Sequence, residues 1–193
     1  PNTEGIGLEE LGVALDKKGK VIVDGQYRTN VKGIYAIGDI IPTQALAHVA
    51  EAEAIRCVEG IAGLSPAPVN YDNIPACTYT SPDVASVGMT ERAVKAAGIE
   101  YKVGKFPFTA SGKATAAGER DGFVKIIADA ASDRILGVHI VGANASEMIG
   151  GMVVARNLGA TATDAARSVF PHPTMSEAVM EAAAALHGES VQI

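Results

Sequence analysis

The chain has 193 residues, 48% of them hydrophobic and 20% charged, and a formal net charge of −6. This is the balance of a folded protein with a sizeable core rather than a disordered chain. It shows no Lys/Arg run or stripe to meet nucleic acid, and Asp, Glu, Arg or Lys interrupts each apolar stretch before it is long enough to span a bilayer.

Pro1 opens the chain without Met or a signal-like segment, in composition that already belongs mid-domain, so the true N-terminus is expected elsewhere. Residues 4–15 read as a short helix or turn. The Gly5-x-Gly7 pair has no strand before it and its third glycine falls too late for a dinucleotide loop. Residues 21–23 suggest a short strand, with Asp24-Gly25 as its turn. Residues 33–39 form a continuous apolar run closed by Gly38-Asp39, the pattern of a parallel strand buried on both faces. Gly38 allows close approach of the backbone to a ligand, and Asp39 places a carboxylate at the strand's carboxyl end; an ordinary turn aspartate is the alternative. Residues 45–61 are periodic as a helix, with Leu46, Val49, Ala50, Ala54, Ile55, Val58 and Ile61 on the apolar face and Glu51, Glu53 and Glu59 largely opposite. The start of this helix can aim N–H groups at an anionic or carbonyl group.

After a linker at residues 63–68 the pattern changes. Strands are expected at 74–80 and 84–87, a helix at 90–97 capped by Thr90 and ended by Gly98, and an alternating strand at 101–108. Residues 109–118 read as a surface loop. Residues 123–128 and 135–141 form a hairpin candidate around Ser132-Asp133-Arg134, with His139 an ordinary strand histidine. Helices are expected at 146–158, 163–169 and 176–186. Their apolar faces exceed what one small sheet covers, which implies a homodimer. Cys57 and Cys77 match neither a metal-ligand nor a redox-pair spacing and read as buried free thiols, which suits a reducing compartment.

The chemistry concentrates at Pro171-His172-Pro173-Thr174-Met175-Ser176-Glu177. Two prolines stiffen the segment presenting His172, and Thr-x-x-Glu before an apolar run marks a helix start. Glu177 can then sit one turn above His172, where a carboxylate orients an imidazole as a general base. The alternative is that Thr174 and Glu177 form only a capping box.

Three stretches together resemble the pyridine-nucleotide disulfide oxidoreductases. These are Thr29-Asn30-Val31-Lys32-Gly33-Ile34-Tyr35-Ala36-Ile37-Gly38-Asp39, then Leu46-Ala47-His48-Val49-Ala50-Glu51-Ala52-Glu53, and His172-Pro173-Thr174-Met175-Ser176-Glu177. Ala47-His48 favours the lipoamide-linked branch over glutathione reductases. The resemblance implies an α+β interface or dimerisation domain at residues 73–193, an antiparallel sheet with helices. The second segment of a Rossmann-like FAD-binding domain would precede it at residues 1–72, with the last residues of an NAD domain at its start. It further implies that Asp39 bonds the FAD ribityl chain, with Gly38 beside it. Backbone at Ala45, Leu46, Ala47 and His48 would contact the isoalloxazine, and Pro173 would lie near the partner's flavin. His172 would serve the partner's active site as acid/base, oriented by Glu177. The implied activity is oxidation of dihydrolipoamide with NAD+ through FAD, in a homodimer bound by the lipoyl-bearing acyltransferase subunit of a 2-oxoacid dehydrogenase complex. It would take place in a bacterial cytoplasm, or in the mitochondrial matrix of a eukaryote. No Cys-x4-Cys pair and no Gly-x-Gly-x-x-Gly loop occurs in the 193 residues, so the chain is expected to be the C-terminal part of such an enzyme and inactive alone. A stand-alone dimerisation module and a glutathione reductase-like enzyme are the alternatives.

Overall fold

A computed structural model describes residues 1–193 and divides into two compact units, Pro1–Asn70 and Tyr71–Ile193. In the first unit, residues 4–12 form turns and bends, the turn reading rather than the helix, and Leu15 is a bridge residue. Residues 21–23 do not form a strand either: Val21 makes a single antiparallel bridge to Leu15, and its N–H donates to the Ile40 carbonyl at 2.8 Å. The apolar run at 33–39 is likewise no parallel strand. It makes one antiparallel bridge, Arg28 to Tyr35, and turns into a 3₁₀ segment, Gly38–Ile40. A buried parallel strand needs a ladder on each side, and the bridges in this unit are isolated and antiparallel. Val13, Val21, Tyr27, Ala36, Ile41 and Cys57 form its small core.

Helix α1 spans Ala47–Ile61, close to expectation, but its buried face is Val49, Glu53 and Cys57. Ile55, Val58 and Ile61, expected inside, are exposed. Counting apolar residues misassigned this face because a glutamate occupies its centre.

The second unit is a five-stranded antiparallel sheet in the order β1-β2-β5-β4-β3, built from β1 (Ala76–Thr78), β2 (Val84–Gly88), β3 (Tyr101–Pro107), β4 (Gly122–Asp129) and β5 (Ile135–Gly142). The β4–β5 hairpin turns where the sequence indicated: Asp129 Oδ1 accepts the N–H groups of Ala131 and Ser132, and Asp133 takes a left-handed φ of 61°. Such side-chain acceptors replace main-chain partners in a tight turn. Helix α2 (Glu91–Ala96) begins at Thr90, whose side chain accepts the Ala93 N–H as a cap should.

The expected loop at 109–118 is instead a 3₁₀ turn, Phe108–Ala110, followed by helix α3 (Gly112–Ala117). Buried Ser111 caps α3 by accepting from Ala114 N, and Gly118, at φ 75°, closes it. Both signals were in the sequence, but a six-residue helix of small residues shows no apolar period.

Helix α4 (Ala145–Asn157) lies on β2 and β5, and α6 (Glu177–Ala185) on β3 and β4, with α5 (Ala162–Arg167) against α6. Thr161 and Asp164 form a reciprocal capping box on α5. Met148, Ile149, Met152, Val179 and Ala182 meet Val87, Phe106, Val124, Ile126 and Ile140 in one core. No helix is long and apolar enough to cross a membrane.

Candidate functional site

Helix α6 is set down directly on the sheet. A Cβ added at Gly104 of β3 would come within 2.0 Å of the Ala182 carbonyl oxygen, so only glycine admits the helix backbone this close. Ala178, Val179, Ala182 and Ala183 bury the inner face. This seating fixes the first turn of α6, where Glu177 projects.

Glu177 uses its two carboxylate oxygens separately. Oε2 accepts the Thr174 N–H at 2.8 Å, and Oε1 lies 2.8 Å from His172 Nδ1. The expected capping box is half present: the Thr174 hydroxyl donates to the Pro171 carbonyl at 2.8 Å instead of accepting from the helix, and the N-cap is Ser176. Burial pulls the Glu177 carboxyl upward, but the Thr174 N–H and His172 outweigh it and hold the group below its ordinary range. An ionised carboxylate only accepts, so His172 Nδ1 carries the proton and Nε2 of the neutral ring is left as an acceptor. The histidine side chain is 73% exposed against 14% for its partner, so a half-buried carboxylate holds an accessible imidazole. Pro173 is exposed beside it.

The other expected site residues lie in the first unit. Gly38 sits at φ 71°, and its N–H donates to Glu53 Oε2 at 2.6 Å. A Cβ on Gly38 would stand 3.1 Å from that of Ala50, so the close approach for which this glycine is needed is to α1. Asp39 is exposed on the 3₁₀ turn. Leu46, the N-cap of α1, supplies no side-chain cap, and the first turn from Ala47 holds no acidic residue. Ala45, Ala47 and His48 are exposed and Leu46 half-buried. The structure thus joins His172 to Glu177 in one unit, and Gly38 to α1 in the other. The residue that sequence reasoning missed is Glu53; the spacing Val49-Glu53-Cys57 was the available signal.

Neither thiol resembles a redox centre. Both cysteines are free, but only Cys57 is buried as expected; Cys77, on the three-residue strand β1, is half-buried. Burial raises Cys57, and burial, Asp83 and Glu147 raise Cys77. His139 Nε2 lies 3.0 Å from the Met89 carbonyl as an ordinary strand residue. No group of three or more His, Cys, Asp or Glu is placed to hold a metal ion.

An antiparallel sheet carrying a histidine–carboxylate pair ahead of its last helix matches the pyridine nucleotide-disulphide oxidoreductase dimerisation domain over residues 74–183, and the pyridine nucleotide-disulphide oxidoreductase model matches residues 1–54. The first match covers more than half of the chain, which therefore belongs to the pyridine nucleotide-disulphide oxidoreductase family. Among its relatives, the mitochondrial dihydrolipoyl dehydrogenase of Pisum sativum is 48% identical over 193 residues, covering 100% of this chain and 38% of the relative. Dihydrolipoyl dehydrogenase of Trypanosoma brucei brucei is 50% identical, over 99% of this chain and 40% of the relative. The crystal structure of LpdA from Mycobacterium tuberculosis superposes with a TM-score of 0.88 at 30% identity, covering 95% of this chain and 40% of LpdA. The chain spans about two fifths of the length of these proteins.

Proposed function

We propose that the chain is the C-terminal part of a flavoprotein that oxidises dihydrolipoamide to lipoamide while reducing NAD+ to NADH. The observation that carries this reading is the 2.8 Å pair of His172 Nδ1 and Glu177 Oε1, with the same carboxylate tied to the Thr174 N–H. Alkyl thiols are mostly protonated at neutral pH, whereas the attacking species in thiol–disulfide exchange is the thiolate. His172 takes the thiol proton at Nε2, Glu177 stabilises the resulting imidazolium, and the ring later releases that proton from the same atom to solvent, the net proton of dithiol oxidation by NAD+. The exposure of His172 suits a base that serves a second subunit, and the homodimer belongs to this proposal.

The residues of the first unit fit FAD: an exposed carboxylate at Asp39, reached through Gly38, suits ribityl hydroxyls, and the start of α1, where Leu46 gives no side-chain cap, suits the flavin's carbonyl edge along residues 45–48. When bound, FAD supplies the two-electron relay between thiol chemistry and the nicotinamide. We assign residues 1–72 to the flavin segment and 73–193 to the interface domain, with Pro173 beside the partner's flavin. The lipoyl-bearing acyltransferase subunit of a 2-oxoacid dehydrogenase complex is the proposed macromolecular partner. A bacterial cytoplasm is the proposed location, with the mitochondrial matrix the counterpart in a eukaryote.

A second reading, a dimerisation module without catalysis, is favoured by both thiols being free and displaced upward. For residues 1–193 by themselves we expect no dihydrolipoamide–NAD+ turnover; measurable turnover in a mass-verified sample would overturn that. For the full-length protein, comparison of lipoamide with oxidised glutathione is the decisive assay. Preference for lipoamide supports the proposal, and preference for glutathione replaces it with a glutathione reductase.

A further inference from the structure

Glu53 is the buried acid of α1, fully enclosed between Val49 and Cys57. A carboxylate stripped of water is costly unless donors replace its hydration, and one such donor is the Gly38 N–H at 2.6 Å. We infer that Glu53 is a positioning residue that locks Asp39 to the N-terminal end of α1, making the two flavin-facing parts of the first unit one rigid piece. The inference rests on the flavin reading above.

The lock has two components on one face of α1. Ala50 and Glu53 are three residues apart and therefore neighbours on the helix surface. Ala50 sets the distance, because its Cβ would stand only 3.1 Å from any Cβ at position 38. Glu53 sets the direction, because the 2.6 Å bond that its carboxyl oxygen accepts from the Gly38 N–H fixes the peptide plane leading into Asp39. Gly38 meets both conditions only at its left-handed φ of 71°. The rest of the turn is held as well: Ile41 N–H donates to the Gly38 carbonyl at 3.0 Å, and Val21 N–H to that of Ile40 at 2.8 Å. Asp39, next after the clamped residue, is left exposed with its backbone immobilised. The first turn of α1 belongs to the same helix as Ala50 and Glu53, so it cannot move independently of that carboxylate. Removing the Glu53 acceptor releases the relation between Asp39 and residues 45–48 without touching either.

The test has two arms. In the 193-residue chain, hydrogen exchange of the Gly38 amide is compared in wild type, Glu53→Ala and Glu53→Gln. Loss of this hydrogen bond speeds exchange by about tenfold or more in the alanine variant, while glutamine, which keeps an acceptor, stays near wild type. In the full-length flavoprotein, the FAD dissociation constant rises by about tenfold or more for Glu53→Ala and recovers to within about threefold for Glu53→Gln, with melting temperature followed on the same samples. Glu53→Met, which fills the volume without a comparable acceptor, replaces alanine if that variant does not fold. A folded Ala or Met variant with wild-type FAD affinity overturns the positioning role even if it melts lower, since destabilisation alone is a structural effect. Unchanged Gly38 exchange overturns the clamp. A wild-type protein with a protected Gly38 amide but no affinity for FAD overturns the flavin reading, and the positioning role with it.

Discussion

Replacing Glu177 by alanine and by glutamine separates the two tasks of its carboxylate. Alanine removes the acceptor of the half-buried Thr174 N–H and the partner of His172 together. Loss of such a helix-start acceptor costs about 1–2 kcal/mol, a fall of roughly 3–10 °C in melting temperature for a unit of this size. Glutamine has one carbonyl oxygen for two donors. If that oxygen stays on the Thr174 N–H, the amide NH2 faces His172 Nδ1 and stabilises the ring tautomer that is protonated at Nε2. That tautomer cannot accept the substrate proton. Glu177→Gln should therefore keep stability within about 0.5–1 kcal/mol of wild type while kcat/KM for dihydrolipoamide in the full-length protein falls by about 10²–10⁴. Thermal melts and steady-state kinetics on the same preparations read both effects. The pH dependence has a definite sign: a carboxyl held below its ordinary value contributes stability above the unfolded value near 4.5, and loses it as pH falls through the folded value. The stability gap between wild type and Glu177→Ala should therefore narrow in acid. Wild-type kcat/KM in Glu177→Gln would refute the tautomer argument, and an unchanged melting temperature in Glu177→Ala would refute the cap.

Three further outcomes follow from other positions. His172→Gln, at a side chain 73% exposed, should change stability by less than about 0.5 kcal/mol in urea melts while lowering kcat/KM by about 10²–10⁴; a comparable loss of both would make it a structural residue. Gly104→Ala brings a Cβ to 2.0 Å from the Ala182 carbonyl oxygen and should cost about 1–3 kcal/mol or more, read as a lower urea midpoint; an unshifted midpoint would mean that α6 is not seated on β3 as described. Cys77, raised by burial and then by Asp83 and Glu147, should alkylate with iodoacetamide more slowly at pH 8 than free cysteine, and an equal rate would contradict its burial.

Local chemistry was legible wherever it was self-contained. Thr90 caps α2 and Ser132-Asp133-Arg134 carries the hairpin turn because a cap or turn needs only its own few residues. The helix at Gly112–Ala117 was missed because Ser111 and Gly118 marked it but no apolar stripe did. The run at 33–39 was misread because a continuous apolar stretch fixes neither burial nor pairing: only Ala36 and Gly38 of the run are buried, and the ladder a parallel strand needs does not form. His172 and Glu177 were legible as a pair from spacing and resemblance. What spacing could not say was that the capping and orienting readings are compatible, since that depends on how two oxygens of one carboxylate are divided.

The same use of a helical carboxylate explains why Glu53 misled the pattern. Placing charged residues on solvent faces is sound while a helix meets apolar side chains, but three helical glutamates here meet loop backbone. Glu53 takes the Gly38 N–H; Glu177 takes the Thr174 N–H and His172 Nδ1; Glu181, buried one turn further along α6, takes the Val191 and Gln192 N–H groups and the Ser190 hydroxyl. Main-chain donors at an irregular turn have no ladder to satisfy them, and a carboxylate on a rigid helix satisfies them strongly and fixes their direction. Two of the three turns so held, Gly38-Asp39 and His172-Pro173-Thr174, carry the proposed cofactor and catalytic groups. Precision at an exposed loop is thus obtained from a buried or half-buried acid on the neighbouring helix, and hydrophobic periodicity is least informative at that acid.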